Sequence, residues 1–204
     1  MLAVKREDGR MAALDLARIP IPAPQIVTNV SPGDGVVSLE PIQQRDLESL
    51  FVWLNDARAA TLDLPHRPLD CIAFRDWLDR LPRETSQILF AIRKVGRPEM
   101  IGFVLFKNFQ SVYRTAELGA RIGAERERGK GYGTRAVRLA LDYAWKVLNL
   151  HRVSLQVLAH NERAIASYLR AGFVAEGLLR EAAFIDGQWR NVVVMGALKS
   201  QVTG

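Results

Sequence analysis

The segment at residues 128–134, RGKGYGT, constrains the fold more than any other part of this chain. Three glycines alternate with larger residues, after a stretch of alternating apolar residues and before a stretch with helical apolar spacing. Glycine tolerates a positive φ and allows another backbone or a ligand to come close, so the segment predicts a tight strand-to-helix turn. The first N–H groups of the following helix then point out of the turn, where the helix dipole favours an anion.

The spacing of the glycines separates this turn from two familiar nucleotide-binding loops. A Walker A loop has four residues between its first glycine and a Gly-Lys-Ser/Thr sequence, whereas Lys130 is followed here by Gly131. A Rossmann turn needs a third glycine after G-x-G-x-x, and Ala136 stands at that place. From the residues alone, a cradle for a pyrophosphate and a purely structural turn both remain open.

Positive charge is concentrated near the same turn. The formal net charge is +6, and the whole excess lies in residues 111–204, which carry fourteen basic and eight acidic groups. A local field of this kind suits a phosphorylated small molecule, with a solvated surface as the alternative. On charge alone it suits nucleic acid equally well, although a nucleic-acid-binding face would spread its basic residues among exposed aromatics. The basic residues around the turn are Arg126, Arg128, Lys130, Arg135 and Arg138, against Glu127 alone.

Composition predicts a globular protein and excludes several other classes. Apolar residues make up 49% of the chain and charged residues 25%, an ordinary balance for a folded domain. No run of about 18 apolar residues occurs, so we expect no membrane-spanning helix. The single cysteine, Cys71, allows no intrachain disulfide, and with no signal-peptide pattern we expect a cytoplasmic protein. His151 and His160 lack cysteines or carboxylates at ligand spacing, so we expect no metal site.

The chain divides into three parts. Residues 1–35 are a proline-rich extension of expected irregular structure, residues 36–198 form the folded domain, and residues 199–204 are a tail. Apolar spacing in the domain predicts one strand, two helices, three strands, a helix, a strand, a helix and two strands. This order predicts a single α/β domain whose sheet is antiparallel early, with a parallel crossover through the helix at residues 133–148.

Two separated motifs resemble those of one enzyme family. Arg128-x-x-Gly131-x-Gly133 resembles the Q/R-x-x-G-x-G/A motif of GCN5-related N-acetyltransferases, the GNAT superfamily. Asn161-x-x-Ala164, which begins 33 residues after Arg128, resembles the N-x-x-A/S motif of the same family. The resemblance implies a mixed, mostly antiparallel sheet flanked by helices, with a splayed strand pair that forms an acetyl-CoA slot.

Longer stretches narrow the resemblance to a branch of that family. AELGARIG and the block LNLHRVSLQVLAHNERAIASYLRAGFVAEG are similar to the branch that acts on ribosomal-protein N-termini. The ending GQWRN is similar to spermidine acetyltransferases, although relatives often carry an aspartate where this chain has Asn191. The resemblance covers residues 36–198 and is strongest from residue 115 to residue 196.

The resemblance implies acetyl-CoA as acyl donor and no metal. The pyrophosphate would lie on the backbone N–H groups of residues 129–134, and the pantetheine arm would pair with the strand edge at residues 120–123. The implied cofactor-binding residues are Ile122, Gly123, Arg126, Arg128, Gly129, Lys130, Gly131, Tyr132, Gly133, Thr134, Asn161 and Ala164.

Acetyl transfer to an amine calls for a proton acceptor and a proton donor of different pKa. The resemblance implies Tyr168 as the acid, seven residues after Asn161 and therefore on the same side of the helix. Glu117 is the candidate base, acting through water. The alternatives are a core tyrosine with a satisfied hydroxyl and, for Glu117, a salt bridge with Arg121 or a structural hydrogen bond.

The acceptor remains open at this point. The implied reaction is direct transfer to a primary amine on a protein N-terminus, an amino sugar or another small molecule. Alternatives are a polyamine such as spermidine, a non-catalytic acyl-CoA-binding relative, or a nucleic-acid or ribosome-associated protein. The polar stretch at residues 53–68 would set acceptor specificity, because the two early helices wall the acceptor site in this family. A homodimer is also compatible with the sequence.

Overall fold

The computed structural model describes residues 32–56, 69–80 and 87–202, together with two short strands near the N-terminus. These are β1 (Ala3–Lys5) and β2 (Met11–Ala13), which pair with each other antiparallel. The pairing differs from the irregular structure expected for the whole extension. Its prolines begin only at Pro20, so the residues before it keep the N–H groups that a hairpin needs.

A seven-stranded sheet forms the centre of the domain, in the order β3-β4-β5-β6-β7-β9-β8. Every neighbouring pair is antiparallel except β6 and β7, which are parallel, so the mixed and mostly antiparallel sheet is confirmed. The strands are β3 (Val37–Pro41), β4 (Gln87–Lys94), β5 (Met100–Gln110), β6 (Thr115–Ile122), β7 (Arg152–Leu158), β8 (Val174–Ile185) and β9 (Gln188–Leu198).

The helices follow the predicted order, and single residues cap two of their ends. Asp70 accepts a hydrogen bond from the N–H of Ala73 at 2.7 Å, and Gly172 ends the fourth helix with a φ of 107°. A short helix at the C-terminus lies in the segment interpreted as a tail. The helices are α1 (Leu47–Leu54), α2 (Cys71–Arg80), α3 (Tyr132–Lys146), α4 (Glu162–Ala171) and α5 (Lys199–Val202).

Helices cover the two faces of the sheet unequally. α3 packs on one face, where Ala116 and Leu118 of β6 are buried against it. α1 and α2 pack on the other face over β4 and β5, with Phe74 and Phe103 in their shared core. The neighbouring part of that second face carries Glu117, which the pleat directs away from α3. We call this part of β6 and β7, with the paired end of β5, the acceptor face.

Strands β6 and β7 separate along their length. Their parallel pairing joins only residues 115–117 to residues 152–154, although β6 continues to Ile122 and β7 to Leu158. β6 keeps its pairing with β5 as far as Ile122, so its other edge is open. The splayed strand pair and its slot are therefore confirmed.

A buried ion cluster fixes the start of α1 to the sheet. Arg93 of β4 is 1% exposed and donates to the two carboxylate oxygens of Asp46 at 3.0 and 2.5 Å. It also donates to Glu40 at 2.9 Å and to the carbonyl of Pro98 at 2.6 Å. Asp46 accepts from the N–H of Gln43 at 2.7 Å, so one arginine joins β3, the turn before α1 and the β4–β5 turn.

Candidate active site

The glycine-rich turn has the conformation that its sequence predicts. Gly129 and Gly131 have φ values of 81° and 83°, in the left-handed region. A Cβ at either position would meet no atom within 4 Å, so backbone conformation and not crowding requires glycine here. Gly131 is the N-cap of α3, and no side chain caps this helix. The first N–H groups of α3 are therefore left for another acceptor.

Gly123 is required by packing within the protein. A Cβ on Gly123 would collide with the indole of Trp53 on α1. Packing against Trp53 is therefore sufficient to require glycine here, and a cofactor contact at this position stays a prediction. Gly119, four residues earlier on the acceptor face, has no atom within 4 Å of its hypothetical Cβ, so it leaves open space beside the slot.

Arg128 ties the turn to the end of β6. Its Nε donates to the carbonyl of Ile122 at 3.0 Å, and its terminal nitrogen donates to the carbonyl of Gly123 at 3.1 Å. Two hydrogen bonds from one planar guanidinium fix the orientation of the turn relative to the strand. The motif arginine therefore positions the turn.

Glu127 holds two cations next to the turn. Its carboxylate contacts Lys94 at 2.6 Å and Lys130 at 3.0 Å. The hydrogen bond from Lys94, followed by that from Lys130, holds the pKa of Glu127 below its ordinary value. Arg135 pairs with Asp34 at 2.8 Å, so protein partners hold Lys130 and Arg135 in place beside the turn.

Arg126 lines a cleft of about 1190 Å³ that the turn shares with α1 and the β4–β5 turn. Trp53 and Met100 contribute apolar surface to this cleft. Its charged lining is balanced, with four basic and four acidic side chains: Lys94, Arg97, Arg126, Arg128, Asp56, Glu99, Glu125 and Glu127. A cleft of this size accommodates part of a cofactor or a small substrate.

The open edge of β6 presents backbone groups to the slot. The N–H of Gly123, just after β6, donates to the carbonyl of Ile101 at 3.0 Å. In this register the N–H and C=O groups of the odd-numbered residues of β6 point towards β5. In an antiparallel ladder the groups of the alternate residues point the other way. The N–H and C=O groups of Leu118 and Ala120 therefore face the space between β6 and β7.

Tyr168 of α4 reaches this open edge. Its ring packs edge-on against Phe173, with centroids 5.7 Å apart, and its hydroxyl lies against the backbone of Ala120. Burial raises the pKa of Tyr168 to about 12, and the contact with Ala120 opposes the shift only in part. The hydroxyl therefore carries its proton at neutral pH, as a proton donor must.

Asn161 and Ala164 lie at the start of α4, as the motif predicts. The side-chain oxygen of Asn161 accepts from the N–H of Ala164 at 3.2 Å, which satisfies one of the helix's first donors. Asn161 therefore caps α4. Contact of these residues with a cofactor stays a prediction.

Glu117 pairs with a residue that the sequence analysis did not consider. Lys107 of β5 lies directly opposite, and the two charged groups are 3.6 Å apart. The predicted alternative partner Arg121 instead donates to the carbonyl of Trp53. Directly opposed residues on paired strands are about 5 Å apart, closer than residues two apart on one strand, which explains the difference. The Glu117 side chain is 35% exposed, so water reaches it.

Sequence reasoning missed one contact between the helices of the site. The hydroxyls of Thr134 on α3 and Ser167 on α4 are 2.8 Å apart. Ser167 belongs to neither motif, and only its position just before Tyr168 marks it in the sequence.

Most of the segment predicted to set acceptor specificity, residues 57–68, lies outside the described residues. The ends of that segment are held together, because Asn55 accepts a hydrogen bond from the N–H of Leu69 at 2.7 Å. Within the described ranges, no group of His, Cys, Asp and Glu side chains could hold a metal ion. No described helix is long and apolar enough to cross a membrane.

Comparison with known proteins identifies the family of this chain. The profile of the acetyltransferase (GNAT) domain matches residues 37–174. Spermidine N(1)-acetyltransferase of Escherichia coli (strain K12) is 33% identical over 165 residues, which are 81% of this chain and 87% of that protein. The chain therefore belongs to the acetyltransferase (GNAT) family. It is an N-acetyltransferase that uses acetyl-CoA, which confirms the resemblance seen in the two motifs.

Other relatives and solved structures agree with this assignment. The ribosomal protein uS5 alanine N-acetyltransferase of Escherichia coli (strain K12) is 29% identical over 118 residues, 57% of this chain and 60% of that protein. The crystal structure of spermidine N-acetyltransferase from Vibrio cholerae with CoA and spermine has a TM-score of 0.76 and 25% identity, covering 84% of this chain and 100% of that one. A dodecameric structure of the Vibrio cholerae enzyme has a TM-score of 0.71 and 27% identity, covering 82% and 96%.

The described residues fit acetyl-CoA in two respects. The turn before α3 leaves backbone N–H groups without a side-chain cap, which suits a pyrophosphate. The open edge of β6 offers the groups that an extended amide chain pairs with.

Proposed function

We propose that this enzyme transfers the acetyl group of acetyl-CoA directly to a primary amine, with Tyr168 as the acid and Glu117 as the base. The observation that carries the proposal is the position of the Tyr168 hydroxyl, which lies against Ala120 on the open edge of the slot. Bound acetyl-CoA supplies the activated acyl group, and the residues around the slot orient it and move the protons.

Binding of the donor is assigned to the turn and the strand edge. The backbone N–H groups of residues 129–134 would take the pyrophosphate, with Arg126 and Lys130 adding positive charge nearby. Ile122, Gly123 and Arg128 shape the joint between strand and turn. The N–H of Ala120 bonds to the Tyr168 hydroxyl. The next N–H on the same edge, that of Ile122, would polarise the thioester carbonyl.

Proton transfer is assigned to Glu117 and Tyr168, which lie near the open edge of β6. Glu117 lies on the acceptor face and is accessible to water, so it can take the proton of an approaching ammonium through a water molecule. Tyr168 keeps its proton at neutral pH and can give it to the departing thiolate.

Direct transfer is favoured over an acyl-enzyme intermediate. A ping-pong reaction needs a nucleophile in the slot. The single cysteine, Cys71, is 6% exposed in the core under α1 and α2, and burial raises the pKa of its thiol. A buried, protonated thiol there is a poor nucleophile.

Spermidine is the first acceptor to test, because the relative with 33% identity is a spermidine acetyltransferase. A protein N-terminal amine is the second, since the described part of the acceptor face does not resemble a polycation site. Beside Glu117 it carries the two cations Lys107 and Arg121. The ribosomal protein relative supports the same candidate.

The proposal is tested by thiol release from acetyl-CoA with a panel of amines: spermidine, spermine, amino sugars, and peptides with a free or a blocked N-terminus. We expect acetyl-CoA-dependent thiol release with at least one primary amine, and a product acetylated at that nitrogen. Binding of acetyl-CoA without turnover of any amine would instead indicate a non-catalytic acyl-CoA-binding relative.

We also propose that the enzyme forms a homodimer through β8. This twelve-residue strand ends the sheet, and its exposed apolar side chains include Val174, Leu178 and Leu179. A long apolar edge strand promotes association unless it is covered. The related Vibrio cholerae enzyme forms a dodecamer, which supports self-association.

A further inference from the structure

The contact between Thr134 and Ser167 joins the turn before α3 to the helix that carries Tyr168. Their hydroxyl oxygens are 2.8 Å apart, although the residues are 33 positions apart in sequence. Thr134 is 8% exposed, so its side chain lies mostly within the protein.

Ser167 also lies close to the backbone of the same helical turn. A Cβ placed on Gly133 would be 3.9 Å from the hydroxyl oxygen of Ser167 and 3.6 Å from Ile122. Ser167 therefore packs against the first turn of α3, next to the end of β6. Both neighbours, Gly133 and Ile122, belong to the proposed donor-binding segment.

Side-chain direction puts the Thr134 hydroxyl near the proposed pyrophosphate position. Helical side chains tilt towards the N-terminus of their helix, so the Thr134 side chain leans towards the glycine-rich turn. A hydroxyl donates one hydrogen bond and accepts two. If Ser167 donates to the oxygen of Thr134, the proton of Thr134 is left for a phosphate oxygen.

We propose that Ser167 is a positioning residue for the acyl donor, which orients the Thr134 hydroxyl as a donor towards the pyrophosphate. The proposal rests on the proposed function, because it assigns the phosphates of acetyl-CoA to this turn. Ser167 lies outside both sequence motifs. It also connects the phosphate-binding turn to α4 one residue before Tyr168.

Calorimetric titration tests the binding part of the proposal with three ligands: CoA, dephospho-CoA, which keeps the pyrophosphate, and pantetheine, which lacks it. We expect Ser167→Ala to weaken CoA and dephospho-CoA by the same factor of about 3 to 10, the range of one hydrogen bond. Pantetheine affinity should not change. Ser167→Thr keeps a hydroxyl and should restore the binding of CoA. The matched control is Ser111→Ala, in the exposed turn between β5 and β6.

Two further measurements separate this role from simple helix packing. In steady-state kinetics, Ser167→Ala should raise the KM for acetyl-CoA while kcat at saturating donor stays near that of the unaltered enzyme. In a double-mutant cycle, Thr134→Val and Ser167→Ala should be non-additive in CoA affinity, because each removes the same bond.

Equal weakening of all three ligands, unchanged CoA affinity, or a fall in kcat alone would each overturn the proposal and leave the proposed function standing. No binding of CoA by the unaltered chain would overturn both.

Discussion

Tyr168 has a half-buried ring, and its hydroxyl carries a proton that the folded chain holds tightly. We expect Tyr168→Phe to lower kcat by about 100-fold or more, because a general acid contributes about 10²- to 10⁴-fold. The measurement is thiol release at saturating acetyl-CoA and amine. Tyr143→Phe, which alters a tyrosine buried under the sheet on α3, is the matched control and should keep kcat. Equal kcat in Tyr168→Phe and the unaltered enzyme would remove Tyr168 from the mechanism.

Tyr168 should also make the unfolding free energy depend on pH in the alkaline range. The pKa of Tyr168 is about 12 when folded and 10.0 as the reference value, so between these pH values the unfolded chain loses a proton that the folded chain keeps. Binding more protons in the folded state means that the unfolding free energy falls as pH rises through this window. Below pH 10 Tyr168 is protonated in both states, so its stabilising contribution to the unfolding free energy is fully present. Tyr168→Phe should show a smaller fall over this window in denaturant titrations.

Gly131 is a backbone requirement that a substitution can isolate. Its φ of 83° is unfavourable for other residues, and no neighbour would touch an added Cβ. Gly131→Ala should therefore cost about 1–2 kcal/mol of unfolding free energy through conformation alone. Gly177→Ala on β8, also without neighbours within 4 Å and with no positive φ, is the control and should cost much less. Similar losses in chemical denaturation for both variants would contradict this account.

The strands and helices of the domain were predictable wherever the signal is local. Apolar spacing predicted α3 and the alternation along β6. The side-chain partners of the site were not predictable. Lys107 meets Glu117 only because β5 and β6 pair in one register, and nothing in a single sequence fixes that register before the sheet forms.

Asn191 illustrates the same limit at the last hairpin. Its side-chain oxygen accepts a hydrogen bond from the N–H of Glu181 at 2.8 Å, where the register of β8 and β9 shifts between Leu179 and Ala183. The aspartate found in relatives could accept the same hydrogen bond. Asparagine at position 191 therefore preserves this contact. A bulge of this kind depends on how two strands pair, and no local sequence pattern predicts it.

The Arg93 cluster predicts how the first three elements of the domain depend on one another. Arg93→Met would leave the nearly buried carboxylate of Asp46 without its main partner, and we expect a loss of about 3–5 kcal/mol in unfolding free energy. The control is Arg152→Met. Its ion pair with Glu176 is 30% and 35% exposed, so the loss should stay within about 1 kcal/mol. Denaturant titration compares the two, and equal losses would show that burial does not set the cost.

At the scale of the whole molecule, the described chain leaves the β8 end of the sheet uncovered. β3 at the opposite edge is five residues long and buries Val37 and Leu39, whereas β8 is twelve residues long and exposes Leu178 by 53%. Closed dimers use the same patch on both copies, so one change in that patch acts twice. Leu178→Glu should therefore convert the dimer to a monomer with an unchanged fold, as measured by light scattering after gel filtration.

The control for this prediction is Val112→Glu. Val112 is an equally apolar residue, 86% exposed, but it lies in the β5–β6 turn away from the β8 edge. Because surface charge alone does not dissociate a dimer held elsewhere, Val112→Glu should remain dimeric. A monomer in the unaltered protein at micromolar concentration would contradict the dimer. A Leu178→Glu variant that stays dimeric would show that the interface lies elsewhere, because the exposed apolar side chains of β8 are the reason for placing it there.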